Sequence, residues 1–501
     1  MKRSCALLLM AALALGFPAA AEAQPLTAGP EILVAPVGFQ PGGWEALLAV
    51  GPDGGILNSW IYDGPLKIRA VSPAGDPLGT TRQLSAGFQN PTVAQLAALG
   101  PGRFAAVWSA RLAPSPPVVS SVVARIVDST GNPITSTHRV LADEGVVLDV
   151  AADGTGGFFV AWHVIEAAEV RIGRFDGEGN PAGAEVAIGA VRLQGLTAAL
   201  LPGGGAVLTW FSRGGFNGEP PQEISLRVVQ PDGTSAGGIS LISQLATGDV
   251  LTFPQVSADA AGRFVVAWAD LDRSTGRSRV QARRFAADGE PLGAAILAGE
   301  TGLGLSTFSL DVAVRPDGSF LILWGEQGDV LVRHFDAAGN PLGAALRVHD
   351  AEEGEQHPGA AAATADGWAV SWGRSLDAQA GLYNRRFALS CGTAAGLCLQ
   401  DRFLATVEWH VPATGARGQG TPVSRTSDTG TFWFFDPANL ELVVKVLDGT
   451  GINGHFWVFY GSLTDVEFKL TVTDRLTGRQ RIYQNPAGTL ASHSDTQAFP
   501  Q

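Results

Sequence analysis

Arginine is the residue with chemical potential that this chain repeats most regularly. Aligned on a recurring glycine turn, Arg69, Arg125, Arg227, Arg283, Arg333 and Arg385 share one position; one segment has Gly173 there, beside Arg174. Guanidinium groups that converged would bind an anionic glycan or a phosphate, because each presents a planar fork of donors. A site needs convergence, whereas a column repeated along a chain is dispersed. The sequence therefore favours a structural use: each Arg stacking on an aromatic, such as the Trp of the adjacent strand, or pairing with a turn carboxylate.

The acidic candidates are weaker. Turn aspartates such as Asp288 and Asp336 offer one carboxylate each, while calcium wants six or more oxygens, so an Asx-turn role is expected. Asp350-Ala351-Glu352-Glu353-Gly354-Glu355, followed by His357, has the charge for a cation or a carboxylate pair, but reads as a solvated connection. The remaining histidines, His138, His163, His349, His410, His455 and His493, show no metal-ligand spacing. Thr426-Ser427-Asp428-Thr429-Gly430-Thr431-Phe432-Trp433 approaches the S-x-D-x-G-x-T-W box of sialidases, but departs from it at Thr426 and Phe432 and occurs once. There is no GxSxG, no HExxH and no phosphate-cradling glycine loop followed by Lys-Ser/Thr. Neither a catalytic set, a metal site nor a cofactor is expected.

The elements that position these residues repeat. Trp60, Trp108, Trp162, Trp210, Trp268, Trp324 and Trp372 end seven similar strands at spacings of 48, 54, 48, 58, 56 and 48 residues. Such a period, with several short strands per unit, marks a β-propeller. In each unit an inner strand precedes the Trp-ended strand, a third carries the Arg, and a glycine turn opens the outer strand. The seventh unit ends at Phe387 without an outer strand, and Pro25–Val34 resembles the missing piece. An N-terminal strand completing the last blade would cover its open edge.

Length and composition agree with this arrangement. The chain has 501 residues, 46% hydrophobic and 16% charged, with 64 glycines and 30 prolines set between short apolar runs. A net charge of −13 and the lack of a basic stripe argue against nucleic acid. Lys2-Arg3, the apolar run Ala6 to Phe17 and Ala21-Glu22-Ala23 make a signal peptide cleaved after Ala23. Cleavage removes two basic residues and one acid and leaves −14. No other apolar run approaches the roughly 20 residues of a membrane span. Cys391 and Cys398, the cysteines left after processing, are expected to pair in an oxidising compartment.

Past Cys398 the repeat stops. RFLATVEWHV, GTFWFF, LELVVKVL, GHFWVFYG and VEFKLTVTD suggest a small β-sandwich, with Asn453-Gly454 and Leu476-Thr477-Gly478 as turns. FWFFDPANLELVVKVLDG and INGHFWVFYGSLTDVEFKLTVTD resemble a C-terminal module that recurs on secreted bacterial proteins of varied architecture. The resemblance implies export and modular construction, and brings no site residues with it.

The expected fold is thus all-β: a signal peptide (1–23), a seven-bladed β-propeller closed by an N-terminal strand (24–390), a disulfide-closed linker (391–398) and a C-terminal β-sandwich (399–501). Binding residues concentrate on variable loops. The long connections Ala110–Ser121, Ser212–Glu223 and Asp270–Ser278 all follow Trp-ended strands, which would gather them on one propeller face. Phe216 and Asn217 are the candidate contacts there. The expected function is a secreted or periplasmic, non-catalytic binding or scaffold protein. Its partner would be a protein or carbohydrate at the cell envelope or outside the cell. The alternative is a propeller-type glycoside hydrolase or polysaccharide lyase whose carboxylates meet over the central channel.

Overall fold

The computed structural model describes residues 26–500 outside the segments 37–45, 62–63, 87, 112–119, 136–137, 190–193, 212–222, 245–249, 252–253, 273–274, 302–309, 351–353, 365–366, 376–378, 390–395, 401 and 475–478. The chain is all-β. Among the described residues, seven sheets of four or five strands, the size of propeller blades, lie between Leu26 and Leu389. Six of them are contiguous in sequence, sheet 1 running from Ala46 to Gln83 and sheet 6 from Leu310 to Arg347. Within each, strands pair antiparallel in chain order, except that in sheet 5 Val250–Leu251 and Gln255–Ala258 both pair with Phe264–Asp272.

Sheet 7 is built from both ends of this region. Glu355–Ala363, Gly367–Ser375 and Gly381–Leu389 form three of its strands, and Leu26–Ala28 and Ile32–Pro36 pair with the outermost one. Leu26 lies opposite Leu389, Ile32 opposite Asn384 and Pro36 opposite Gly381. The missing outer strand is therefore supplied by the N-terminal segment.

The apolar runs explain the packing. In each sheet the second strand is buried on both faces, as a nearly continuous Val/Ile/Leu/Ala sequence requires. Its tryptophan (Trp60, Trp108, Trp162, Trp210, Trp268, Trp324 or Trp372) is buried against the preceding sheet. Each hydrophobic cluster of this region draws residues from two neighbouring sheets, and one of them joins sheet 7 to sheet 1.

The turn that ends the third strand has a simple cause. Gly339 sits at φ +87°, where a Cβ would be strained, and its N–H bonds Asp336 O at 3.0 Å. Asp336 Oδ1 accepts the N–H groups of Ala338 (2.9 Å) and Asn340 (2.8 Å). The Asp336 carboxylate is engaged in holding the turn, the Asx role expected over calcium ligation.

Two further five-stranded sheets follow. One contains Gly396–Leu399, Phe403–Val411, Ala416–Gln419, Glu467–Asp474 and Gln480–Asn485; the other contains Thr421–Ser424, Thr429–Trp433, Leu442–Gly449, His455–Ser462 and Ser492–Pro500. They share one core that includes Phe403, Phe432, Phe468 and Phe499, a sandwich-like packing. This region begins earlier than the expected linker allowed: Gly396–Leu399 pairs with Phe403–Val411, so Cys398 lies in a strand. Cys391 lies outside the described residues, as do the signal segment and Leu476-Thr477-Gly478. Asn453-Gly454 closes a single helical turn, Thr450–Asn453, with Gly454 at φ +75°. Among the described residues, no helix is long and apolar enough to cross a membrane.

Candidate functional site

The first strands of the seven sheets line a common channel of about 430 Å3. At the position opposite the residue preceding the tryptophan, sheets 1 to 6 carry Leu47, Gln95, Asp149, Thr197, Gln255 and Asp311 in turn; in sheet 7 the register shifts at this point. A ring of mostly polar side chains therefore faces the channel from an otherwise apolar wall.

Four of them reach the next sheet. Gln95 Nε2 donates to Leu148 O at 3.1 Å, and Thr197 Oγ1 donates to Pro254 O at 2.9 Å. Asp149 Oδ2 accepts the Leu200 N–H at 2.7 Å while its Oδ1 accepts the Val150 N–H at 2.8 Å. Asp311 does the same with Ala361 (2.8 Å) and Val312 (2.8 Å). Burial among the converging strands pushes Asp149 up to about 7 and Asp311 up to about 6, against the pull of these backbone donors. A carboxyl group near neutrality is what acid catalysis requires. Here, though, both oxygens of each group are committed to backbone N–H groups. Neither aspartate was singled out by sequence. The signal was present as a recurring Leu-Asp-Val-Ala, at Leu148–Ala151 and again at Leu310–Ala313.

The arginine column lies in register, each member opposite the residue two before its tryptophan: Arg69 opposite Asn58, Arg333 opposite Ile322, Arg385 opposite Val370. Gly173 holds the same position opposite Val160. The arginines do not converge. Arg333 donates from Nε to Gly343 O of its own outer strand segment (3.1 Å) and from Nη1 to Ala298 O of the preceding sheet (2.9 Å). Arg385 repeats this with Gly29 O (2.7 Å) and Val348 O (2.6 Å), and adds Asp350 (2.7 Å). Arg69 bonds Gly79 O (2.9 Å) and Val34 O (2.6 Å). Arg283 bonds Gly293 O (3.0 Å), Arg125 lies 3.3 Å from His138 Nε2, and the buried Arg227 Nε has no partner among the described residues. The expected partners were an aromatic ring, such as the adjacent tryptophan, or a turn carboxylate. The main acceptors are instead main-chain carbonyls; Arg283 and Arg333 also lie 5.8 and 5.7 Å from the rings of Phe285 and Phe335. Two of these acceptors, Val34 and Ala298, stand where the register of their strands shifts and the pairing skips a residue, so a forked guanidinium finds a carbonyl there.

The other candidates separate. Phe216 and Asn217 lie outside the described residues, as do most of Ala110–Ser121 and residues 273–274 of the third loop. In the acidic loop, Asp350 pairs with Arg385, and His357 Nε2 lies 3.1 Å from Ser375 Oγ, with burial pulling its pKa down. The sialidase-like stretch is a turn: Thr426 and Thr429 hydroxyls donate to Asp428 Oδ1 at 2.6 and 2.7 Å, and with Lys445 they hold it at about 2.

A second concavity, a groove of about 890 Å3, crosses the first C-terminal sheet. Alternation in Phe403–Val411 buries Phe403, Ala405 and Val407 and turns Glu408 and His410 to the other face. Lys469 bonds Glu408 at 2.8 Å, Glu467 lies 3.3 Å from His410 Nδ1, and Arg417, exposed, lies opposite His410. The sequence reading placed His410 among scattered histidines, because its neighbours here come from strands about 57 positions away.

No family model matches the chain, and no curated protein matches it. Among solved structures, it is similar to puromycin hydrolase (14% identity, TM-score 0.32), over 88% of this chain and 53% of that one, so it spans about half that enzyme's length. It is also similar to polysaccharide lyase Uly1 (10% identity, TM-score 0.43, 70% of this chain and 90% of that one). A third is the β-propeller domain of the Trilobed protease from Pyrococcus furiosus (9% identity, TM-score 0.41, 69% and 95%). At these identities no chemistry passes from those proteins to this one.

Proposed function

We propose that this chain is an exported, non-catalytic binding or scaffold protein. It would be a seven-bladed β-propeller closed by its N-terminal strand and followed by a β-sandwich, with the signal peptide removed after Ala23 and Cys391 paired with Cys398. Its partner is a protein or carbohydrate at the cell envelope or outside the cell, met by the loops Ala110–Ser121, Ser212–Glu223 and Asp270–Ser278. One observation carries this reading: the two channel carboxylates with raised pKa spend both oxygens on backbone N–H groups, one of them in the next sheet. Groups used that way hold a ring together and are not poised for substrate. The passage from N-terminal segment to sheet 7, and from sheet 7 to sheet 1, supports ring closure.

The test is glycan-array and envelope-protein binding by the mature chain, alongside a variant with Ser212–Glu223 shortened. Saturable binding, lost in that variant at an unchanged melting temperature, is the expected result. Release of sugar or unsaturated product from a polysaccharide panel, abolished in folded Asp149→Asn, would establish the enzyme alternative instead.

A further inference from the structure

Between neighbouring sheets, one pair of positions meets at every interface. One is the residue two before the tryptophan, on the second strand; the other precedes the arginine column, on the third strand of the sheet before. Six interfaces fill both positions with aliphatic side chains that share a cluster, such as Val332 with Val370, Leu226 with Val266, and Ile172 with Leu208. Between sheet 7 and sheet 1 the same positions hold Asn384 and Asn58. Both are 0% exposed, on the strand faces that carry Leu382 and Trp60 into the cluster joining these sheets. Neither amide has a hydrogen-bond partner among the described residues.

An amide buried without a partner is destabilising, so an aliphatic pair like the other six would be the more stable choice. Buried amides kept at such a cost have one well-attested use, the selection of a partner and its register. This interface is where selection is needed. It forms when residues as distant in sequence as Leu26 and Leu389 come together. Until then sheets 1 and 7 present open faces built like the six aliphatic interfaces, ready to stack on the wrong sheet or on a second chain. With an amide on each open face, a wrong pairing buries Asn against aliphatic carbon. Correct closure sets both amides at one junction, where a single enclosed water can bridge them.

We propose that Asn58 and Asn384 are a recognition pair through which sheets 1 and 7 select one another, keeping closure within one chain. The proposal rests on the closed-ring reading. Arg69 reinforces the same junction from the rim through Val34 O, and Arg386 through Gly54 O.

The experiment compares the mature chain with Asn58→Val, Asn384→Val and the double variant. Melting temperature is measured on each, and oligomeric state after refolding is read by light scattering over a range of concentrations. Each single variant strands one amide and should melt lower. The double variant should melt at or above the wild type, yet refold with a several-fold larger share of dimers. Single-variant losses that simply add in the double, or a double variant as monomeric as the wild type, would overturn the pairing. Hydrogen exchange on the wild-type protein separates the two levels: unprotected amides over 26–36 would sink the closed ring itself, whatever the variants do.

Discussion

The two regions of this molecule use polar side chains in opposite ways. In the seven-sheet region, the repeated arginines and the channel residues point at main-chain atoms of their own and neighbouring sheets. In the C-terminal region, Glu408, His410, Glu467 and Lys469 pair with one another across the outer face of one sheet. Its buried ion pair, Arg402 with Asp474 at 2.8 Å, occurs once, under Phe403 and Phe456. Repetition marks construction here. A polar group that recurs once per sheet satisfies a backbone need that recurs once per sheet, whereas the unrepeated Glu408–Lys469 and His410–Glu467 pairs lie on the open face of their sheet.

The largest break in that comparison is removal of residues 24–34. The deletion takes away Leu26–Ala28 and most of Ile32–Pro36, uncovers the edge of Gly381–Leu389, and strips Arg69 and Arg385 of acceptors at Val34 and Gly29. A loss of more than about 4 kcal/mol is expected, in the range reached only by major structural lesions. Chemical denaturation would measure it, with aggregation through the open edge as the companion sign. A variant that melts like the wild type would show the N-terminal segment to be an accessory.

Arginine substitutions sharpen the contrast at intermediate size. Arg385 is buried and bridges Gly29 O, Val348 O and Asp350. Lysine supplies one point charge where a fork spans three acceptors, so Arg385→Lys should cost roughly 3–5 kcal/mol, as breaking a buried charged network does. Arg417→Lys, on the exposed groove, should stay within about 0.5 kcal/mol. Equal losses from the two, by denaturant titration, would erase the distinction between repeated and unrepeated arginines.

How much of this was legible beforehand follows the same division. The Trp strands, the glycine turns, the Arg register and the missing outer strand were readable because each is a local pattern repeated many times. What the Arg column bonds to was not readable, since the acceptors are carbonyls, which every residue carries. Asp149 and Asp311 escaped notice because a single polar residue in an apolar strand has no local signature of what faces it. Asn58 and Asn384 were invisible for a related reason. Each is ordinary alone, and their proposed meaning comes from equivalent positions at one sheet junction, on strands more than 300 positions apart.

The channel carboxylates give the smallest effect and the one with a definite sign. Asp149 and Asp311 are the ionisable side chains among the described residues lining the channel. Unfolded, both would titrate near ~4; folded, burial raises them to about 7 and about 6. The native state therefore holds their protons more tightly, and the stability this contributes is fully present below about pH 4. It is lost as pH rises through the folded values. Asp153 runs the other way: burial opposes its charge, but Thr155, Gly157 and Arg174 prevail and hold it at about 2, so its contribution is lost in acid. Between pH 5 and 8 burial also pulls His138 and His357 down, which adds stability as pH rises, so the aspartate contribution is read as a difference between variants. Asp149→Asn cannot titrate, so the melting-temperature advantage of the wild type over it should shrink by a few degrees across that interval. Calorimetry at constant ionic strength would read this directly. An advantage that grew with pH would mean the sheets prefer the charged carboxylate, with its two backbone N–H donors outweighing burial.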